Sequence, residues 1–168
     1  LVVSGINLGH NMGIDVYYSG TVACAREGAI QGVPSVAVSS VFPKVGGEKM
    51  AEIWAVTAET AASVIKQALV KGHPSNVVLN INSPALTRDE LKGIKATHIG
   101  NRNYSLDFTR SEDPFMRPYY WLLGNGPRDE YDANSDVSAV EDGYISVTPL
   151  TIDPTSYAFK AELEGWKL

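Results

Sequence analysis

Three short runs of apolar, β-branched residues, separated by two stretches with helical spacing, limit what the first half of this chain can become. LVV opens it at 1–3, SVAVSS follows at 35–40, and NVVLNI at 76–81. Strands that are apolar on both sides belong in a sheet covered on both faces. Between the first two runs lies a pattern rich in small residues over 19–32, with Ala23, Cys24, Ala25 and Ala29, stopped by Gly32 and Pro34. Between the second and third, residues 48–71 carry Ile53, Val56, Thr60, Val64 and Ala68 at helical spacing. Lys71-Gly72-His73-Pro74 ends that helix. The alternation strand, helix, strand, helix, strand predicts parallel strands with helices on the faces. In such sheets a ligand sits at the carboxyl ends of the strands.

The segment 4–18 lies at such an end and reads as a long loop. It carries Gly5, Gly9 and Gly13 with Asn7 and Asn11, then leads through Tyr17-Tyr18 to Ser19-Gly20-Thr21 at a helix start. Glycine allows positive φ and close approach of backbone to a ligand. The first turn of a helix has N–H groups without intrahelical partners, and its dipole favours negative charge. Ser19 or Gly20 caps the helix, and the two hydroxyls and three N–H groups of Ser19-Gly20-Thr21 suit an anion as well. The amide oxygen of Asn7 or Asn11 is a neutral, hard ligand for a cation such as Mg²⁺, which also needs carboxylates beside it. The nearest carboxylate in sequence is Asp15, equally suited to bracing the loop. The glycine spacing matches neither the G-x-G-x-x-G dinucleotide fingerprint nor a P-loop.

Other candidates carry less. His10, His73 and His98 show no metal-ligand spacing, and no G-x-S-x-G nucleophile elbow occurs. His10 could line a substrate pocket but reads more simply as an exposed loop residue, and His73 and His98 read as structural. Asp129, Glu130, Asp132 and Asp136 read as a solvated acidic run, while Arg102 and Arg110 could reach an anion. These residues together predict an α/β domain with an anion or phosphate site, without a complete catalytic set.

The second half changes character. Residues 91–106 read as an extended segment, 117–124 (RPYYWLLG) as an aromatic strand, and 136–142 as a short helical turn. Residues 144–150 alternate as a strand does. Residues 155–168 read as a terminal helix with Tyr157, Phe159, Leu163 and Trp166 available for packing. An aromatic hairpin arm beside an α/β body belongs either to a subunit interface or to an antiparallel extension of the sheet. The length of 168 residues suits one domain. A net charge of −5 gives no general basic field, so no nucleic-acid polymer is expected as a partner. The single Cys24 rules out an intramolecular disulfide and fits a reducing compartment. No apolar run is long enough to span a bilayer and no signal peptide is visible, so a cytoplasmic location is expected, with no membrane partner. A core strand opening on Leu1 rather than Met leads us to expect that an earlier part of the protein precedes it.

The loop resembles a specific motif. Ser4-Gly5-Ile6-Asn7, Gly9, Asn11, Gly13, Asp15-Val16, Tyr18-Ser19-Gly20-Thr21-Val22, Ala25 and Glu27-Gly28 are similar to the signature of the SurE family, the survival-protein phosphatases also called 5′-nucleotidases. Asn80-Ile81-Asn82 with Pro84 follows in order. So do Gly93-Ile94 with Thr97 and Gly100, Arg117-Pro118-Tyr119-Tyr120-Trp121, Asp136 with Ala139-Val140, Gly143-Tyr144, and Thr148-Pro149-Leu150. The resemblance implies a three-layer α/β/α sandwich with a mostly parallel, Rossmann-like sheet, an extended β-hairpin arm and a C-terminal helix. It implies a metal-dependent phosphomonoesterase acting on nucleoside 5′- and 3′-monophosphates, as a homodimer or homotetramer that exchanges C-terminal arms. Its single divalent cation would be Mg²⁺ or Mn²⁺, with Asn7 as one ligand. Asn11, Ser19, Gly20 and Thr21 match the positions that hold phosphate oxygens, and Gly5, Gly9, Gly13 and Asp15 support the loop. The family's N-terminal Asn-Asp-Asp-Gly motif and serine ligand have no counterpart, and no Asp-Asp pair occurs in the chain. The expectation is one SurE-like domain over 1–168 that lacks the family's N-terminal strand–helix units. The alternative is a non-catalytic phosphate- or nucleotide-binding or oligomerisation α/β module.

Overall fold

The computed structural model describes residues 1–42, 46–101, 107–122 and 132–167. Arg102, Asp129 and Glu130 lie outside the described residues. Five strands form the central sheet in the order β1 (Val2–Leu8), β2 (Ser35–Ser40), β3 (Val77–Ser83), β7 (Tyr144–Thr151) and β4 (Gly93–Ala96). β1, β2 and β3 run parallel, as the alternation predicts. β7 runs antiparallel to β3, and β4 pairs parallel with β7.

Helices cover both faces. Helix α1 (Gly20–Ile30) packs Val22, Ala25 and Ala29 on Ala37, Val78 and Leu150. Its small residues allow a close approach, because a Cβ at Gly28 would stand 2.4 Å from Ser35 Oγ and 2.8 Å from a Val2 methyl. Helix α2 (Gly47–Lys71) sets Ala61, Val64 and Ile65 against Val36, Val38, Ile81 and Ile145 on the opposite face. The three layers are those of an α/β/α sandwich. Among the described residues no helix is long and apolar enough to cross a membrane.

Two boundaries differ from the sequence reading in ways that matter for the site. β1 does not stop at residue 3 but continues to Leu8, so Asn7 lies on a strand and not in a loop. The register against β2 shifts between Ser4 and Asn7. Gly5 makes this possible: its φ is +122°, and an added Cβ would lie 2.1 Å from the Val38 carbonyl oxygen. A glycine inside a strand commonly marks such a bulge and not a loop. β3 in turn runs on through Asn82 and Ser83.

Beyond the sheet, β5 (Phe108–Glu112) and β6 (Pro118–Leu122) pair antiparallel as a separate hairpin. Of the extended segment expected over 91–106, the described residues form a strand in β4, and 102–106 lie outside the described residues. Helix α3 (Asp136–Glu141) leads into β7. Helix α4 (Tyr157–Glu164) is capped by Ser156 and is shorter than expected. It has no buried residue; Tyr157, Phe159 and Trp166 are exposed, the last two stacked edge to face at 6.0 Å. Among the described residues, then, the burial expected of these side chains is not reached; Leu163 alone of the four is half-buried.

Candidate functional site

The carboxyl ends of β1, β2 and β3 are tied in sequence, with Gly9 N donating to Ser40 O and Val41 N to Ser83 O, both at 2.9 Å. The chain then folds back over the α1 face as residues 9–12 and a 3-10 helix, Gly13–Tyr17. What holds this crossing is a set of buried polar side chains. Asn11 N donates to Asn82 Oδ1 at 2.8 Å, and Asn11 O accepts from Asn80 Nδ2 at 2.8 Å and Asn82 Nδ2 at 3.1 Å. Asn11 Nδ2 donates to Ser39 Oγ at 2.7 Å. Buried backbone groups must be paired, and here two strand amides take the place of a sheet partner.

Asp136 holds the loop from the other side. It is fully buried, contrary to its reading as part of a solvated acidic run. Its carboxylate accepts from Gly13 N at 3.0 Å, Gly100 N at 2.7 Å and Val137 N at 2.8 Å. Burial pushes its pKa above the ordinary value of 3.8, and the three N–H donors oppose that rise.

Asp15 braces the loop locally. Its carboxylate lies 3.4 Å from Met12 N and 3.5 Å from His10 Nε2, while its backbone carbonyl accepts from Tyr18 N and Ser19 N. His10 is thus not the exposed loop histidine read from sequence; its side chain is about one-third exposed and ion-paired when protonated. Gly9, His10, Asn11, Asp15, Tyr18 and Ser19 line an open cavity of about 290 Å³.

Ser19 caps α1, its Oγ accepting from Val22 N at 3.1 Å, and Ala23 N bonds to Ser19 O. Among the described residues the N–H groups of Gly20 and Thr21 have no protein partner. Gly20 is exposed, with nothing within 4 Å of the place a Cβ would take. The helix start therefore offers two N–H donors, two hydroxyls and open space one residue beyond the cavity wall. Gly20, Thr21 and Asn7 do not themselves line that cavity. Asn7 Nδ2 donates to Gly9 O at 3.0 Å, which leaves the amide oxygen as the end able to meet a cation.

A cation centre is not complete in these residues. Among the described residues no group of three or more His, Cys, Asp or Glu side chains could hold a metal ion. One neutral amide oxygen falls well short of the roughly six oxygens that Mg²⁺ takes. The donor set present fits a phosphate and not, by itself, a divalent cation.

The positions missed from sequence are Ser39, Asn80, Asn82 and Asp136 as clamps; of the two readings open for His10, pocket wall or exposed loop residue, the structure favours the first. Asn80 and Asn82 carried a usable signal, since polar side chains two apart on one face of a buried strand need partners.

Comparisons with known proteins bear on the family and the fold. Residues 1–106 match the family model described as survival protein SurE. The chain is 43% identical over 172 residues to a 5′-nucleotidase SurE from Chloroflexus aggregans, covering 99% of this chain and 64% of that protein. It is 43% identical over 168 residues to a 5′-nucleotidase SurE from Symbiobacterium thermophilum, covering 100% and 63%. The crystal structure of a SurE protein from Aquifex aeolicus superposes with a TM-score of 0.76 at 38% identity, over 97% of this chain and 64% of that one. The chain thus spans slightly under two thirds of the length of these relatives.

Proposed function

The chain belongs to the SurE family, and on that footing we propose that it supplies the substrate side of a divalent-cation-dependent phosphomonoesterase, a hydrolase of nucleoside 5′- and 3′-monophosphates. One observation carries the reading: the unpaired N–H groups of Gly20 and Thr21, with the Ser19 and Thr21 hydroxyls, open beside a cavity walled by Asn11. Donors fixed before the substrate arrives stabilise charge that grows on phosphoryl oxygens during P–O cleavage. The positive end of the α1 dipole acts in the same sense. Asn11 keeps its place because Ser39, Asn80 and Asn82 hold it. Asp15 is the one carboxylate among the cavity residues, and its pairing with His10 offsets its repulsion of an anion when the imidazole is protonated. In this reading Asn7 gives one oxygen to Mg²⁺ or Mn²⁺, whose role is to neutralise phosphate charge, and the remaining ligands come from outside these 168 residues.

The assembly belongs to the same reading. The β5–β6 hairpin exposes Phe108, Tyr120, Trp121 and Leu122, and α4 exposes Tyr157 and Phe159. Apolar surface of this kind suits contact with further copies of the chain, as a homodimer or homotetramer. A cytoplasmic location goes with it, in keeping with a lone, free Cys24.

The test is a titration of inorganic phosphate followed by amide chemical shifts. The Ser19, Gly20 and Thr21 signals should move together, and Thr21→Ala should weaken the binding. Silence at those amides would overturn the phosphate reading. A phosphate-release assay on AMP with Mg²⁺ or Mn²⁺ then separates enzyme from module. With one cation ligand of about four the 168-residue chain should turn over little, and brisk turnover would sink the ligand assignment. A non-catalytic phosphate-binding or assembly module draws on the same incomplete cation site. That reading gains if supplying the family's aspartate-bearing segment restores no hydrolysis.

A further inference from the structure

A second cavity, of about 420 Å³, opens on the α1 face, within the usual range for small-molecule pockets of roughly 300–1,000 Å³. The 3-10 helix divides it from the phosphate loop: Val16 and Tyr17 line this cavity, Asp15 and Tyr18 the other, and no residue lines both. Its floor is firmly packed. Val16 and Leu150 belong to the buried cluster that holds α1 on the sheet, and Ile152 packs against it. Ile99 and Pro154 add further apolar wall, and Arg26 brings the one charge among the lining residues. Arg26 lies one turn beyond the buried Val22 and one before the buried Ala29, so its stem follows the packed side of α1 and is half-buried. Among the described residues its guanidinium makes a single hydrogen bond, from Nη2 to Val16 O at 3.4 Å, and no ion pair. The other described arginines, Arg88, Arg110 and Arg117, pair with the carboxylates of Glu59, Glu112 and Asp113.

We propose that this cavity is a binding site for a small organic monocarboxylate, its apolar body against Val16, Ile99, Leu150 and Ile152 and its carboxylate on the Arg26 guanidinium. The inference stands apart from the phosphate reading of the loop. A guanidinium has a rigid fork of five N–H donors, and the protein uses one of them here. A carboxylate takes two such donors in parallel. The walls decide what else the ligand carries. A cation would meet Arg26 at close range. A sugar or polyol would exchange its hydrogen bonds to water for contact with carbon. A phosphate dianion would find one guanidinium, where the loop offers it helix N–H groups and hydroxyls. Tyr17, 67% exposed, stands at the rim with a ring for the apolar body and a phenol that can donate to the carboxylate. The ligand class is therefore an aryl or branched-alkyl carboxylic acid in its ionised form.

The test uses the 168-residue chain with 3-phenylpropionate as the probe and its neutral amide as the control, followed by NMR. The methyl signals of Ile99 and Ile152 should move with phenylpropionate, with a dissociation constant of about 1 mM or below. The amide should bind about tenfold more weakly, for want of the charge-assisted bonds. Arg26→Gln, at a half-buried helix position, should bring acid and amide to within about twofold of each other by weakening the acid alone. Ile99→Trp, which fills the cavity, should weaken both. Saturating inorganic phosphate should leave the probe in place, since the loop is a separate site. The inference is overturned if those methyl signals stay still up to about 10 mM probe, if Arg26→Gln leaves the preference for acid over amide intact, or if phosphate displaces the probe. It is equally overturned if Ile99→Trp lowers the mass seen in ultracentrifugation, because a second copy would then cover the cavity. Should Ile99→Trp fail to fold, Arg26→Gln and the phosphate competition still decide.

Discussion

The loop over α1 and the hairpin β5–β6 both lie outside the central sheet, yet they are held in opposite ways. The loop is fixed by buried side chains: Ser39, Asn80, Asn82 and Asp136 each meet its backbone or Asn11 directly. The hairpin has strand hydrogen bonds and exposed aromatics, with Tyr119 and Trp121 edge to face at 6.1 Å, and both its strands are almost wholly exposed. An isolated hairpin is marginal in water. The difference separates two jobs. A site must be preorganised before its ligand arrives, so its supports are internal. If the hairpin is a surface for another copy, as proposed above, its apolar groups stay outside until that copy binds.

The sharpest way to break this contrast is Gly5→Ala. Its Cβ would sit 2.1 Å from a backbone carbonyl, at a φ that L-residues avoid. We expect a loss above about 4 kcal/mol, or no folded protein, in chemical denaturation. A well-folded variant would show that the β1 bulge is not what seats Asn7. Gly20→Ala, with nothing within 4 Å, serves as the control and should leave stability within about 1 kcal/mol.

Asn82→Ala comes next. It removes the acceptor of Asn11 N and one donor to Asn11 O. Stability should fall by about 1–3 kcal/mol, and phosphate shifts at Gly20 should weaken with it. Unaltered phosphate binding in the variant would mean that the clamp does not position the site.

Asp136→Asn reads out a direction. The folded-state pKa of Asp136 lies above the unfolded value near 3.8, because burial disfavours the ionised form. Its contribution is therefore complete below that value and is lost as pH rises through the folded one. The stability of the wild type relative to Asp136→Asn should fall as pH rises from the unfolded value near 3.8 through the raised folded-state value. A gap that moves in favour of the wild type would show that the three N–H donors outweigh burial.

These tests fall where the sequence was hardest to read. The parallel core was legible because strands buried on both faces are continuous apolar runs, as in Ser35–Ser40. The start of α1 was legible because Ser19 is a local cap, three residues from its partner. Asn82 and Asp136 were not, since their partners lie 71 and 123 positions away and no local pattern records such pairings. Gly5 misled in the other direction, reading as a loop when it lets a strand pass its neighbour. In α4 the helix was legible and its burial was not, because an apolar side chain does not say what covers it.

The hairpin gives the smallest effect on the monomer and the most specific one on assembly. Trp121 is 62% exposed and touches Tyr119 across one edge. Trp121→Ser should therefore change monomer stability by less than about 0.5 kcal/mol, as surface substitutions do. If the hairpin is the surface on which copies meet, the same change should lower the mass seen in analytical ultracentrifugation and remove the concentration dependence of the melting temperature. Aromatic anchors at the centre of an interface commonly carry about 2 kcal/mol or more each. Loss of stability at high dilution, where only monomer remains, would place Trp121 in the fold and erase the contrast with the loop. An unchanged mass with unchanged stability would leave the loop as described and move the subunit contact elsewhere, with the exposed face of α4 as the next surface to substitute.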